Sequence, residues 1–564
     1  MFPFFNQEHA DSCQRKQEAI ATQVTHYASL YDRPLTDDDA AVLKLSLVDI
    51  VDGCNNGSQS PAAVLNAFGK RAFAAHAATN CLADLMFDEA AKAYAPGQPL
   101  SGVPVSLKDV VNVEGHDTTL GFSSKAHKPA AADAPIVRLL RDAGALLPVK
   151  TTVPTGLLSF ECESDLFGRT SNPYNPAFSP GASTGGGAAL LAYGGSKIEI
   201  ATDIGGSVRY PAAYCGVYGM KASCGRFPSA GCQTCVPGLE GMQTASPMAR
   251  SLDDLQAFWE RVVGMKPWEY DYTCVPVPWR SVDFLHEDRK PRWGVMWNDG
   301  LMTPTPACKR ALVYAVDALQ EQGYELVDFD GPSIIEGLRI GFPLAFADGG
   351  KSVAAPLSPS ESINPAIGML LSAARLPLLL KQAVASYLRW RSTPIGRNDS
   401  YAAVLEAMHP QTVAQERELV IKLQDYRVRF ADAMREQGID FILTVPHPLP
   451  PMPKNGTGKA TLLAASYAFF YNILDFVAGV VPTTYVDKNL DSLPPNFQDT
   501  PLHAGLNDGE RELFSLYDAE AMHGLPLAVQ IVGKRFEEEK VLEGMQIVRN
   551  ALKASGRPFI QRDF

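Results

Sequence analysis

Residues 178–221, FSPGASTGGGAALLAYGGSKIEIATDIGGSVRYPAAYCGVYGMK, constrain the chain more than any other stretch, because they hold two glycine clusters that each carry a serine. The serines are Ser183 and Ser207, 24 residues apart. Glycines let backbone N–H groups come close to a bound group and take dihedral angles that other residues avoid. The second cluster, Thr202-Asp203-Ile204-Gly205-Gly206-Ser207, directly follows the strand pattern KIEIAT (197–202). A strand that ends in such a turn and opens a helix points several successive N–H groups at one spot. An anion developing there is stabilised, which is what an oxyanion hole requires, and the serine closing the turn is the natural nucleophile. The same texture suits a phosphate loop, but neither GxxxxGK(S/T) nor GxGxxG occurs. TGKAT at 457–461 lacks the upstream glycine of a P-loop and reads as a surface loop.

Around this stretch, short apolar strands alternate with helices. Val103, Val105 and Leu107 alternate toward Lys108, Asp133 to Ala143 reads as a capped helix, LLPVK (146–150) as a buried strand and Ala188 to Tyr193 as a helix. IDFILTVP (439–446) and LAVQIVGKR (527–535) read as further strands, and 308–323 and 412–437 as helices. Such alternation predicts an α/β fold built on a layered sheet. Before residue 100 the pattern is helical. Thr36 with Asp37, Asp38 and Asp39 opens a helix whose apolar face is Val42, Leu43, Leu45, Val48 and Val51 and which Gly53 stops; Ser60-Pro61 opens another. Residues 266–305, rich in Pro, Trp and Tyr, read as a long ordered crossing segment. The expected organisation is one large α/β/α domain, with an N-terminal helical segment (1–64) packed on the main domain (65–545) and a tail (546–564) of that domain.

Composition removes several function classes. With 62 acidic and 50 basic side chains the net charge is -12, which repels nucleic acid and anionic lipid. No basic start followed by a long apolar run opens the chain, so no secretory signal is read. Ten cysteines without framework spacing fit reduced thiols in the cytoplasm. Cys232 and Cys235 form one CxxC, but a zinc site needs a second pair, and they read as loop residues. The histidines lack the HExxH spacing, so no metal is expected.

With these residues in view, the chain resembles the amidase signature family, whose hallmark is GGSSGG followed some two dozen residues later by TDIGGS. GASTGGG (181–187) and TDIGGS (202–207) stand in those places, and Lys108 in GVPVSLKDVV precedes Ser183 by 75 residues. VKTTVP (149–154), FGRTSNPYNP (167–176), KPWEYD (266–271), VVPTTYVDKNLD (480–491) and HGLPLAVQIVGKR (523–535) extend the likeness over most of the chain. The last three look most like the fungal acetamidase branch. The resemblance implies a mixed central sheet, no cofactor, and Ser207 as the acylated nucleophile. It makes Ser183 the bridging serine that passes the proton and Lys108 the base. The N–H groups of Ile204, Gly205, Gly206 and Ser207 become the oxyanion hole, with Ser183 beside them, and Asp203 and Arg209 pair to brace the turn.

Lys108 can act as a base near neutral pH only if burial or nearby positive dipoles lower its pKa. The competing reading is a surface lysine paired with Asp109; the matched spacing favours the base. The first cluster departs from the family, with Ala182 for a glycine, Thr184 for the second serine and Gly187 for a glutamate. Thr184 keeps a hydroxyl, and the changes bear on the shape and polarity around Ser183. GASTG also fits the GxSxG nucleophile elbow, but that motif needs a strand before it and NPYNPAFSP is a loop pattern.

The implied reaction is hydrolysis of a carboxamide to an acid and an amine or ammonia through a Ser207 acyl-enzyme. Fatty acid amide, ester or carbamate hydrolysis within the family is the alternative. The acidic surface opposes an amidotransferase subunit, and the intact Lys108, Ser183 and Ser207 oppose a non-catalytic scaffold. By family position Leu157, Leu158 and YNILDF (471–476) line the pocket. The apolar segment 363–388 is interrupted by Arg375, Pro377 and Lys381, so it is no spanning helix. It reads as a core or cap helix over the substrate channel; a membrane-touching or acyl-binding cap is the sharper alternative. Acyl-chain length stays open, and a homodimer is compatible with all of this.

Overall fold

The computed structural model describes residues 3–239, 241–284, 289–390, 398–460 and 462–564. Its first half contains strands β1 (Leu82–Leu85), β2 (Val105–Lys108), β3 (Val149–Thr151), β4 (Glu163–Ser164), β5 (Gly168–Arg169), β6 (Ile198–Asp203) and β7 (Tyr218–Lys221). The second half adds β8 (Thr244–Ala249), β9 (Arg292–Val295), β10 (Glu325–Asp328), β11 (Phe441–Thr444), β12 (Val477–Tyr485) and β13 (Pro526–Gly533). β4 and β5 pair as a small hairpin, and the other 11 form one sheet in the order β1-β3-β2-β6-β8-β7-β12-β13-β11-β9-β10. β2 runs parallel to β3 and β6, and β9 to β10 and β11. The pairings of β8, β12 and β13 are antiparallel. The sheet is mixed, as expected.

Every residue of β6 and β13 is buried. A strand without a wet face belongs to a sheet covered by helices on both sides. Helix Gly185–Ala192 packs on β2, β3 and β6, helix Arg209–Cys215 on β7, β12 and β13, and helix Glu538–Ala554 on β12 and β13. In β2 the polar positions Ser106 and Lys108 are as buried as Val105 and Leu107, so the alternation separates two protein-covered faces rather than core from solvent.

The helix expected from Thr36 to Gly53 is two helices, Asp37–Lys44 and Leu47–Asn56. Thr36 and Asp39 form a capping box, but Ser46 and Asp49 form a second one and restart the helix, which ends at Gly57. Helix Pro61–Thr79 starts at its proline as expected. The helix near 133 starts at Pro135; Asp133 does not cap it but accepts from the Glu114 N–H (2.8 Å) and the Arg141 guanidinium (2.5 Å). TGKAT is no surface loop, since Thr457–Ala460 form a helical turn whose buried Thr457 donates to Glu161; residue 461 lies outside the described residues. The 266–305 crossing segment includes β9, and its residues 285–288 lie outside the description.

The boundaries expected after 64 and 545 both fall inside helices, Pro61–Thr79 and Glu538–Ala554. Helix Pro3–Tyr31 packs on Pro61–Thr79 and β1, with the rings of Tyr27, Tyr31, Phe73 and Phe87 in mutual contact.

Segment 363–388 forms helices Pro365–Arg375 and Leu378–Trp390, bent by 112° at Pro377, whose ring stops the first helix. Among the described residues no single helix is long and apolar enough to cross a membrane. The first helix buries Ile367, Leu370 and Leu371. The second turns Leu378, Leu379, Leu380, Val384 and Trp390 outward, with Leu379 80% exposed. The core-or-cap expectation therefore fits the first helix and not the second.

Candidate active site

Lys108 closes β2, and its Nζ is wholly enclosed. It lies 2.8 Å from Ser183 Oγ, 3.1 Å from Thr202 Oγ1 and 3.2 Å from the Thr202 carbonyl oxygen. Burial disfavours the ammonium form and lowers the Lys108 pKa to about 8, against the pull of Asp203 and Glu199. Asp109 is not its partner, because it pairs with Lys150 at 3.0 Å and accepts from the Thr119 N–H. Lys108 is thus no surface lysine.

Ser183 follows a cis Ala182–Ser183 peptide bond, and no strand leads into it, which removes the elbow geometry. Thr184 Oγ1 donates to the Ser207 carbonyl at 2.6 Å, so the threonine hydroxyl ties the first glycine cluster to the second.

The Ser207 turn is organised by Asp203. One carboxylate oxygen accepts the Gly206 N–H at 2.9 Å and the other the Val208 N–H at 3.1 Å. Arg209 grips both oxygens, Nε at 3.0 Å and Nη2 at 2.8 Å. Its remaining donors reach the Ala468 carbonyl, Gln530 and Asn472. Burial works to raise the Asp203 pKa, but the Arg209 guanidinium and the two N–H groups hold it well below the ordinary carboxylate range. Gly206 takes a φ of 111°, and a Cβ there would lie 2.3 Å from the Tyr210 ring, so the turn admits only glycine. The Gly206 N–H, which the family resemblance places among four oxyanion donors, is engaged with Asp203 in this geometry.

Ser207, Ala182, Ile204 and Gly205 form one wall of a cleft of about 610 Å³ including its mouth. Leu157 and Leu158 line it as expected, and Val236, Phe342, Phe346 and Phe469 complete an apolar lining that carries no charged side chain. YNILDF was expected in the lining and is absent from it. Ala465, which caps helix Ser466–Ile473, and Phe469 within it, one turn on, face the cleft. Asn472, one turn beyond Ala468, instead donates to Asp203 and the Met242 carbonyl. Phe342 and Phe346 come from around helix Ile334–Ala345, where no motif marks them. Among the described residues no group of three or more His, Cys, Asp or Glu is placed to hold a metal.

Comparison with known proteins agrees with this geometry. The amidase family profile matches residues 63–542. Fatty-acid amide hydrolase 1 of Sus scrofa is 35% identical over 529 residues, covering 92% of this chain and 88% of its own length. Acetamidase of Emericella nidulans is 30% identical over 527 residues, covering 90% and 89%. A solved fatty acid amide hydrolase superposes with a TM-score of 0.79 at 26% identity, covering 98% of this chain and 95% of its own. This chain belongs to the amidase family, and amide hydrolysis is its reaction.

Proposed function

We propose that Ser207 attacks the amide carbonyl, Ser183 relays the proton and Lys108 receives it. The observation that carries this reading is the set of three contacts at Lys108 Nζ. A neutral amine has two N–H bonds and one lone pair. Two acceptors on Thr202 take the N–H bonds, and the lone pair is then left for the Ser183 hydroxyl. As the Ser207 oxygen bonds to the carbonyl carbon, its proton passes to Ser183 and the Ser183 proton to Lys108. The oxyanion is held by the N–H groups of Ile204, Gly205 and Ser207, while Gly206, bonded to Asp203, keeps the turn rigid. The ammonium returns its proton through Ser183 to the leaving amine, and water then cleaves the acyl-enzyme by the same relay.

The uncharged, apolar cleft supports an amide with an apolar acyl group as substrate. The outward leucines of helix Leu378–Trp390 support peripheral contact with an uncharged membrane surface. Ten unpaired cysteines support a reducing, intracellular setting.

Ser207→Ala tests the assignment. It is expected to stay folded and to lose activity by about 10⁴-fold or more. A fluorophosphonate probe is expected to label the peptide containing Ser207 and not Ser183. A variant that keeps half the wild-type rate on any good amide rules Ser207 out as nucleophile.

A further inference from the structure

Glu199 of β6 lies buried beneath helix Gly185–Ala192, and the relay above does not use it. Its Oε1 accepts from the Thr151 hydroxyl at 2.6 Å, while Oε2 has no hydrogen-bond partner among the described residues. Thr151 is the register partner of Lys108, and Ser106, two residues before Lys108, is the register partner of Glu199. The carboxyl and the lysine therefore stand on one patch of sheet. Gly187 makes the room: a Cβ there would lie 2.3 Å from Glu199 Cδ and 2.4 Å from Oε1. The Glu199 carboxyl fills the volume that a side chain at 187 would occupy. Position 187 is also where the first glycine cluster departs from its family pattern by lacking a glutamate, so a buried carboxyl is present here from the strand instead of the helix.

We propose that Glu199 is a positioning residue for Lys108, whose carboxylate supplies the counter-charge for the ammonium that forms when Lys108 takes the relayed proton; this rests on the reading of Lys108 as the base. The other acid near Lys108, Asp203, also pulls on it, but both of its carboxylate oxygens are gripped by Arg209. The titratable groups facing this pair are the thiols of Cys81 beside Glu199 and of Cys162, Cys232 and Cys235 beside Lys108. Burial pushes all four thiols up, Cys81, Cys232 and Cys235 to about 12, so they stay neutral through the working range. Burial also pushes the Glu199 carboxyl up to about 7, against the nearby Ser106 and Thr151 hydroxyls and Lys108. Glu199 is thus ionised on the alkaline side, where the neutral amine works. A carboxylate there raises the proton affinity of Lys108; removing it moves the rising limb of the rate to lower pH and weakens the base.

The test is kcat/KM against pH on an uncharged amide for wild type, Glu199→Gln, Lys108→Ala and the double variant Gly187→Glu/Glu199→Gly. Glu199→Gln is expected to shift the limb down by about 1 pH unit and to lower the plateau by roughly 10-fold. The double variant, which returns a carboxyl to the same volume from the helix, is expected to move the limb back toward wild type. A limb that stays at the wild-type pH in folded Glu199→Gln overturns the proposal, whatever the rate, because a merely structural residue changes rate without moving the limb. Should Glu199→Gln not fold, Glu199→Asp, with its carboxylate drawn back from Lys108, is read instead and must shift in the same direction by less. Lys108→Ala separates the two readings: if it keeps the wild-type limb, the base assignment itself falls.

Discussion

Burial lowers the Lys108 pKa to about 8, which puts the proposed base within reach of a pH test. In the proposed relay the working form is the neutral amine, so kcat/KM is expected to rise with pH through about 8. Lys108→Ala is expected to lose orders of magnitude and that limb, and Lys108→Arg not to restore it, because a guanidinium keeps its proton. A matched ester, whose leaving group needs less protonation, is expected to suffer less than the amide; equal loss on both removes Lys108 from the leaving-group step. The same burial sets a stability cost. A base whose folded pKa lies below its unfolded value is penalised below the folded pKa, and the penalty fades as pH rises toward the unfolded one. Lys108→Met is therefore expected to be inactive yet more stable than wild type at pH 7, by on the order of 1–3 kcal/mol in denaturant unfolding. Arg209→Ala works in the opposite direction. It strands the buried Asp203 carboxylate, and is expected to cost about 3–5 kcal/mol and to disorder the Ser207 turn.

Secondary-structure elements divide the labour between chemistry and specificity. Helix Ser466–Ile473 turns Ala468 and Asn472 to the Arg209–Asp203 pair and Phe469 to the cleft, so one helix serves both. Phe342 packs against Phe469 with ring centroids 4.9 Å apart, and both line the cleft. Phe342→Ala is expected to favour bulky acyl amides over acetamide in a kcat/KM series, while lowering stability by about 3 kcal/mol through the cavity it leaves. Helix Leu378–Trp390 is different, since its leucines face outward and Leu379 takes no part in the cleft. Leu379→Asn is expected to leave turnover of a short soluble amide unchanged and to weaken flotation with phosphatidylcholine vesicles. Loss of short-amide turnover instead would tie this helix to the site.

At the scale of the whole molecule, the N-terminal helix Pro3–Tyr31 is part of the packed unit. Lys16 pairs with Asp117 at 3.0 Å in a buried setting, and the Tyr31 ring sits 4.4 Å from that of Phe87. Deleting residues 1–33 is expected to lower Tm and expose apolar surface to a hydrophobic dye, rather than leave an independent enzyme; an unchanged Tm makes the helix an accessory. How much of this was legible in the chain follows from the range of each interaction. The strand-turn-helix around Ser207, the capping box at Thr36 and the proline start at 61 are written within a few residues of one another, and local chemistry suffices to read them. The restart at Ser46 is equally local, but the apolar face continues across it and hides it. By itself the sequence determined the α/β class and the two serine-bearing turns, since glycine dihedrals and strand alternation act between neighbours, whereas Lys108, 75 residues before Ser183, was marked only by the family resemblance. Only the tertiary structure decided that Asp109 goes to Lys150, that Phe342 and Phe346 wall the cleft, and that Glu199 stands in the space Gly187 leaves. Each of those depends on which distant segments the sheet brings together, and the volume between two packed elements is a property of neither one alone.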